Sequence, residues 1–417
     1  MPGFHAFPGG SVDRYEAPVD GGPAGEPPTA VGAAIRELRE ETGVRVAPSA
    51  LTPAGHWITP PFSPIRFDTR FYLAEIPSGE EARVEPGELE SGEWIEPQSA
   101  LARWERGTIL AAPPVVHLLR VAASSNDPPA WPAAATSIEE ARGGEVRLVE
   151  MRRGVILVPL RTPTLPPATH TNCYIVGSNR PAIVDPGASD PGEASALDGV
   201  LASLAGRTPS RILLTHHHHD HVRGALPLAR RLGIPITATR ETRDAISPGI
   251  PVDEIVGDGA RFDTGDGAPP LVALETPGHA RGHLCFTAGD ALLSGDLILG
   301  MGTTVIDPPD GDMGDYMDSL ARLATLPVTT LFPGHGPVLA DSLSKIREYQ
   351  AHRLEREQQV LAALGDGLSS PQSIVPRVYA EVPIEMHPFA ARSVLAHLEW
   401  LERKGAARRT GSAWSRA

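Results

Sequence analysis

Apolar residues fall along this chain in two rhythms. From residue 154 to 335 they form short runs that end in a polar or turning residue: Gly154-Val-Ile-Leu-Val-Pro159, Asn172-Cys-Tyr-Ile-Val176, Pro181-Ala-Ile-Val-Asp-Pro-Gly187, Arg211-Ile-Leu-Leu-Thr215, Leu271-Val-Ala-Leu-Glu275, Leu292-Leu-Ser-Gly-Asp296 and Leu331-Phe-Pro-Gly-His335. Runs this short, bounded by Gly and Pro, predict buried strands rather than helices. Glu145–Glu150 and Gly154–Pro159 alternate like hairpin strands. Helical spacing predicts helices over Ala30–Thr42, Ser99–Gly107, Pro114–Ala123, Ala194–Ala205, Val222–Leu232, Ser342–Leu364, Pro371–Tyr379 and Pro388–Lys404. Arg66–Ile76 reads as a strand with Phe67, Phe71 and Leu73 inward, and Glu93-Trp94-Ile95 as the next strand. Ser124–Ala135 is rich in Pro, Ser and Ala without periodicity and reads as a linker. The expected organisation is α/β and multi-domain: residues 1–123, a linker over 124–140, a second domain over 141–341, and a helix with a small module over 342–417.

Composition narrows this only a little. The chain has 417 residues, 41% of them apolar, enough for more than one core. Its net charge of −14 argues against a generally nucleic-acid-binding surface, although residues 392–417 carry six basic and two acidic side chains. Such a local patch suits a polyanion such as single-stranded RNA, or simply a solvated terminus. Two cysteines, Cys173 and Cys285, without metal-knuckle or CxxC spacing, give no disulfide framework and fit a reducing cytoplasm. No apolar run reaches membrane-spanning length, and no basic-then-apolar leader opens the chain. Lys345 and Lys404 are the two lysines, which leaves little room for lysine-based chemistry.

The strand ends carry the chemistry. After Arg211–Thr215 comes H-x-H-x-D-H: His216, His218, Asp220 and His221. Four metal-capable side chains within six residues do not suit core packing, since Asp is rarely buried unpaired. A loosely metal-binding polyhistidine run is the plain alternative. Three later strands each deliver one more such residue at their tips: His279 in Thr276-Pro-Gly-His279, Asp296, and His335 in Phe332-Pro-Gly-His335. In this order the seven residues resemble the metallo-β-lactamase superfamily. The resemblance implies an αββα sandwich with two metal ions in its cleft. His216, His218 and His279 would hold one, Asp220, His221 and His335 the other, with Asp296 bridging. Imidazoles and carboxylates suit two Zn²⁺, with iron or manganese as alternatives. A hydroxide bridging the ions would attack an ester, thioester or phosphodiester, and Asp220 would orient it. His217 and His219 are out of register and are expected to support the ligands or to be solvated. His283 reads equally as a supporting donor and as a polar residue of the next strand. Asp185 is expected to bond backbone near the metal loops. Met301–Asp315, just past Asp296, is a candidate substrate loop or a mere connector. His397–Gly405 resembles the winged helix that follows the hydrolase in the β-lactamase-like protein 2 family, some members of which cut RNA while others hydrolyse small esters or thioesters.

The first segment resembles a second family. Gly10-x5-Glu16 followed by Arg36-Glu-Leu-Arg-Glu-Glu-Thr-Gly-Val44 is similar to the Nudix box, with an α/β/α sandwich implied. Glu37, Glu40 and Glu41 share one helix face, and with Glu16 they would hold Mg²⁺ against a diphosphate, Glu40 and Glu41 doing the catalytic work. A solvated acidic face is the plain alternative. The interval from Glu16 to Arg36 is twelve residues longer than usual, as in the coenzyme A diphosphatase-like branch, which Trp57-Ile-Thr-Pro-Pro and Arg66–Tyr72 also resemble. Only ten residues precede the box, so the domain is expected to begin upstream or to be trimmed. Three functions follow. The first is the metal-dependent hydrolase. The second is a diphosphatase of coenzyme A-like or nucleotide diphosphates, and the third a winged-helix nucleic-acid-binding protein. None needs a membrane.

Overall fold

The computed structural model describes residues 3–59, 66–84, 89, 91–124, 147–188, 190–246 and 249–417. The expected linker lies outside them except for Ser124, as does the end of Trp57–Pro61. The described chain divides into two compact units, Gly3–Arg153 and Gly154–Ala417.

In the first unit, α1 (Pro28–Thr42) starts on a proline, whose missing N–H is no loss at that position. It ends where Gly43, at φ 74°, donates to the Arg39 carbonyl. Val31 packs with Val44, Val46 and Leu51 beneath it. Strands β1 (Thr52–Ile58) and β2 (Asp68–Leu73) pair antiparallel. Helices α2 (Pro97–Glu105) and α3 (Pro113–Ser124) enclose a separate core of Trp104, Ile109, Ala111, Val115, Val116 and Leu119. Strand β3 (Val149–Arg152) closes the unit, its Met151 carbonyl accepting from Trp104 Nε1 and the Ala111 N–H. Two expectations need correction. Glu93–Ile95 is irregular, because Glu93 is drawn into an ion pair with Arg103 and Trp94 stays 72% exposed. Phe67 lies before β2 and is exposed rather than buried.

The second unit contains two sheets. In the first, β4 (Val155–Arg161), β5 (His170–Val176), β6 (Ala182–Val184), β7 (Arg211–Leu213), β8 (Ile236–Ala238) and β9 (Glu254–Ile255) lie side by side in chain order. The pairs from β4 to β6 are antiparallel and those from β6 to β9 parallel. Helices α4 (Pro191–Ser203) and α6 (Ala225–Leu232) pack on β4 and on β7–β8. The expected helix over Val222–Leu232 is broken: a single turn, α5 (His219–Val222), precedes α6, and α7 (Arg240–Ala245) follows β8. The break falls at Gly224, pressed so close to the Pro186 and Ala188 carbonyls that no side chain would fit.

The second sheet runs β10 (Arg261–Phe262), β11 (Leu271–Glu275), β12 (Leu284–Ala288), β13 (Ala291–Gly295) and β14 (Thr330–Pro333), antiparallel until β13 and β14 pair in parallel. Leu274, Cys285, Leu292 and Leu331 of this sheet are buried against Tyr316 and Leu320 of α8 (Met313–Leu323) and Ile346 and Tyr349 of α9 (Ser342–Gly365). Two sheets clad by helices give the expected sandwich. Past Tyr349, α9 continues into another core, where Val360 and Leu364 meet Val375 of α10 (Pro371–Val378), Val394 and Leu398 of α11 (His387–Arg403), and Trp414. The hairpin β15 (Ala407–Thr410) and β16 (Ala413–Arg416) is the wing. At about 36 Å, α9 is long enough to belong to both cores.

Candidate metal centre

Strand β7 ends at Leu213, and the residues after it are fixed by one buried carboxylate. Asp185, at φ 50° in the left-handed region that Asp tolerates better than most residues, follows the neighbouring strand β6. Its Oδ1 accepts from the Thr215 N–H at 2.8 Å and its Oδ2 from Thr215 Oγ1 at 2.6 Å. His216 is thereby held fully buried. The next turn places His218, Asp220 and His221, and it fits only because Gly187 has no side chain: a Cβ there would stand 1.6 Å from the Asp220 carbonyl oxygen. His279 follows β11, Asp296 follows β13 and His335 follows β14.

Four of the five imidazoles have the outer nitrogen hydrogen-bonded to an acceptor. His216 Nδ1 donates to Thr215 Oγ1 at 2.9 Å, whose own proton goes to Asp185. His221 Nδ1 donates to Asp185 Oδ2 at 2.9 Å. His279 Nδ1 donates to the Val305 carbonyl at 3.0 Å, and His335 Nδ1 to the His170 carbonyl at 2.7 Å. His218 Nε2 faces Asp310 Oδ2 at 3.7 Å, beyond hydrogen-bond distance. The four bonded acceptors fix both the tautomer and the ring orientation of their histidines, as the acceptors behind metal-bound histidines do.

The inner nitrogens converge. His218 Nδ1 lies 2.9 Å from His216 Nε2 and 3.1 Å from His279 Nε2. His221 Nε2 and His335 Nε2 are 3.3 Å apart. His335 Nε2 is 3.2 Å from Asp220 Oδ2 and 3.4 Å from Asp296 Oδ2, and His221 Nε2 is 3.3 Å from Asp296 Oδ1. One donor group comprises His216, His218, His279 and Asp296, another Asp220, His221 and His335. Asp296 reaches both, and its buried Oδ1 makes no hydrogen bond. An orphaned carboxylate oxygen among facing nitrogen lone pairs calls for a cation, and this donor set fits a divalent transition metal.

Electrostatics divide the site in the same way. Burial, with neighbouring histidines, lowers His216 well below its ordinary value and His279 to about 4, so both stay neutral. Burial also opposes protonation of His335, but the Asp296 and Asp220 carboxylates outweigh it and raise that ring to about 10. His221 is raised well above its ordinary value for the same reason. Burial would raise the Asp220 carboxyl, yet His221 and His335 hold it down to about 2. This half of the site therefore carries positive charge, as a proton or as an ion.

The structure brings together all seven residues singled out by the sequence. His283 is fully buried, its Nε2 accepting from the Asp296 N–H at 3.2 Å and its Nδ1 meeting Thr276 Oγ1 at 3.1 Å. His217 sits 3.3 Å from Asp310, and His219 is exposed at the start of α5. Sequence reasoning missed Thr215, Asp310, Thr171, whose Oγ1 lies 3.4 Å from Asp220 Oδ2, and Thr164, 3.4 Å from His335 Nε2. None of these stands in a ligand pattern. Asp310 alone had a signal, its place in the polar loop after Asp296.

In the first unit, Glu16, Glu37 and Glu40 converge on the Arg36 guanidinium at 2.9, 2.9 and 3.0 Å. Glu41 accepts from the Gly9 N–H at 2.8 Å instead. The cation among the first three carboxylates is therefore Arg36 itself.

Comparison with known proteins gives the family. Residues 166–335 match the metallo-beta-lactamase superfamily, 370–414 the beta-lactamase associated winged helix domain, and 1–112 the NUDIX domain. A Beta-lactamase-like protein 2 homolog of Drosophila melanogaster is 34% identical over 257 residues, 58% of this chain and 86% of that protein. An atrochrysone carboxyl ACP thioesterase of Aspergillus chevalieri is 33% identical over 51% of this chain and 69% of its own. The crystal structure of a metallo-beta-lactamase family protein from Thermus thermophilus superposes with a TM-score of 0.54 at 26% identity, covering 63% of this chain and 99% of that one. The chain thus belongs to the metallo-β-lactamase superfamily of hydrolases, in its β-lactamase-like protein 2 branch, with a NUDIX domain before the hydrolase and the associated winged helix after it.

Proposed function

We propose that the second unit is a binuclear metal-dependent hydrolase whose substrate is an acyl thioester or ester. One observation carries the reading: five imidazoles, four with their outer protons fixed by hydrogen bonds, whose inner nitrogens meet the buried Asp296 and the half-buried Asp220. His216, His218 and His279 would hold one divalent ion and Asp220, His221 and His335 the other, with Asp296 between them. Zinc suits these donors, and iron or manganese is compatible with them. The bound ions supply a water acidic enough to attack at neutral pH and a counter-charge for the leaving group. The remaining work falls to the chain. Asp220, a carboxylate at neutral pH, would orient the attacking water as well as hold its ion. Asp185 and the Val305 and His170 carbonyls keep the imidazoles in register. Thr164 places a hydroxyl 3.4 Å from His335 Nε2.

Thioesters come first because a relative one third identical over 69% of its length is named as a thioesterase. A phosphodiester, including single-stranded RNA, is the second substrate class, favoured by the exposed wing residues Arg408, Arg409 and Arg416. Diphosphate hydrolysis belongs to the first unit, where Mg²⁺ would have to displace Arg36 from Glu16, Glu37 and Glu40.

Metal analysis, with thioester, ester, phosphodiester, RNA and diphosphate substrates assayed with and without chelator, tests the proposal. Expected is acyl hydrolysis that chelator abolishes and divalent metal restores. His218→Ala and Asp296→Ala should each lose metal and at least ~10²-fold of the rate, more than replacing an outer partner costs. Full activity and metal content in both variants would refute it.

A further inference from the structure

The segment between Asp296 and α8 sends its polar groups in two directions. Toward the centre, Thr304 Oγ1 donates to the Asp296 carbonyl at 2.7 Å. The Val305 carbonyl takes the His279 proton at 3.0 Å, and Asp310 faces His218 Nε2 at 3.7 Å. Away from it, Arg353 of α9 donates to the Thr304 carbonyl, and Ser393 Oγ of α11 accepts from the Ile306 N–H at 3.3 Å. Arg392 of α11 donates both to the Asp307 carboxylate and to the Pro308 carbonyl. Arg403, at the other end of α11, holds Asp312, which caps α8.

Within this one stretch Val305 and Asp310 face metal-centre histidines, while Thr304, Ile306, Asp307 and Pro308 are held by α9 and α11. Thr304, Ser393 and Arg353 are buried, so water does not compete for their bonds. The Val305 carbonyl, which fixes the His279 tautomer, shares one planar peptide with the Ile306 N–H that Ser393 holds. That N–H cannot move without moving it.

We propose that the C-terminal module sets the geometry of the metal centre: Arg392 and Ser393 are positioning residues that act on His279 and His218 through residues 304–310. This rests on the reading of the seven side chains as a metal site.

The test uses the full chain with Co²⁺ as probe. Wild type, Arg392→Ala, Ser393→Ala and Arg377→Ala are compared; Arg377 pairs with Asp366 inside the module and touches none of the loop. Each protein is titrated with Co²⁺ against a chromophoric chelator, its visible spectrum is recorded, and the metal-free form is melted. Arg392→Ala and Ser393→Ala are expected to stay folded without metal, Ser393→Ala melting somewhat lower because the buried Ile306 N–H loses its acceptor. They should bind Co²⁺ roughly tenfold or more weakly, show shifted absorption bands, and lose kcat more than KM. Arg377→Ala should match wild type throughout. Arg392→Ala and Ser393→Ala with wild-type affinity and spectrum would overturn the proposal; if Arg392→Ala does not fold, Ser393→Ala decides by the same two results. A wild type that retains no Co²⁺ would instead overturn the hydrolase reading.

Discussion

Asp185 binds no substrate in the proposed reaction, yet it has more hold on the centre than its single side chain suggests. It orients His221 directly and His216 through Thr215. Asp185→Asn separates these roles from the backbone, since Asn also tolerates the left-handed conformation. The amide keeps one oxygen for the Thr215 N–H but turns its N–H₂ toward both His221 Nδ1 and Thr215 Oγ1. We expect metal affinity and kcat to fall roughly 10- to 100-fold with little change in secondary structure. Metal titration beside circular dichroism measures both, and undiminished affinity would remove Asp185 from the site. The seven donors were legible in the sequence because side-chain identity and strand-tip placement announce them. Their proton acceptors were not. The His170 and Val305 carbonyls have no identity to read, and Asp310 stands 92 positions from His218.

At the scale of elements, strand positions were legible and their limits were not. Burial on both faces made the runs at β5, β7 and β11 recognisable, because such strands are continuously apolar. The split between α5 and α6 was hidden, since it depends on carbonyls of a distant loop pressing on Gly224. The same loop makes a prediction. Gly187→Ala forces its methyl into the Asp220 backbone, and overpacking of this kind costs about 1–3 kcal/mol. Because the strain falls on the turn carrying Asp220 and His221, metal affinity should fall together with thermal stability. Equal affinity with a lowered melting temperature would show that the turn yields elsewhere. A second prediction concerns the packing of α9 against α11. His397 is fully buried with neither ring nitrogen bonded, and burial, with Arg353, His352, Arg356 and Lys404 nearby, holds it well below its ordinary value. His352 is lowered to about 4, again chiefly by burial. Below pH ~6.5 the unfolded chain takes up protons that these folded rings refuse, so stability present above that pH is lost as it falls toward 4. Each proton contributes a slope of at most about 1.4 kcal/mol per pH unit. His397→Leu removes one of them. Its melting temperature should match or exceed wild type at pH 7 and fall less steeply between pH 6.5 and 5. An unchanged slope would mean that His397 is protonated in the folded state.

The two units have separate cores and gather positive charge by different means, which gives the whole molecule a testable asymmetry. In the second unit the facing nitrogens and carboxylates call for an ion, so an ion that binds the folded form alone stabilises it by mass action. In the first, Arg36 is covalent and always charged, and Glu16 and Glu37, their side chains only 9% and 12% exposed, depend on it. Heating with and without chelator should therefore lower the melting of the second unit and leave that of the first in place. Arg36→Ala should do the reverse. It leaves Glu16, Glu37 and Glu40 facing one another without a cation, at a cost of about 1 kcal/mol or more for partly buried carboxylates. Mg²⁺ adds a further arm: with Arg36 gone, the three carboxylates become a site for a hard cation, and Mg²⁺ should restore part of the lost stability. Calorimetry of the full chain in four combinations of chelator and substitution, with Mg²⁺ added to Arg36→Ala as a fifth, reads all of this. If chelator moved both transitions in the wild type, or Arg36→Ala moved the transition that chelator moves, the two units would share one source of charge stabilisation rather than hold two.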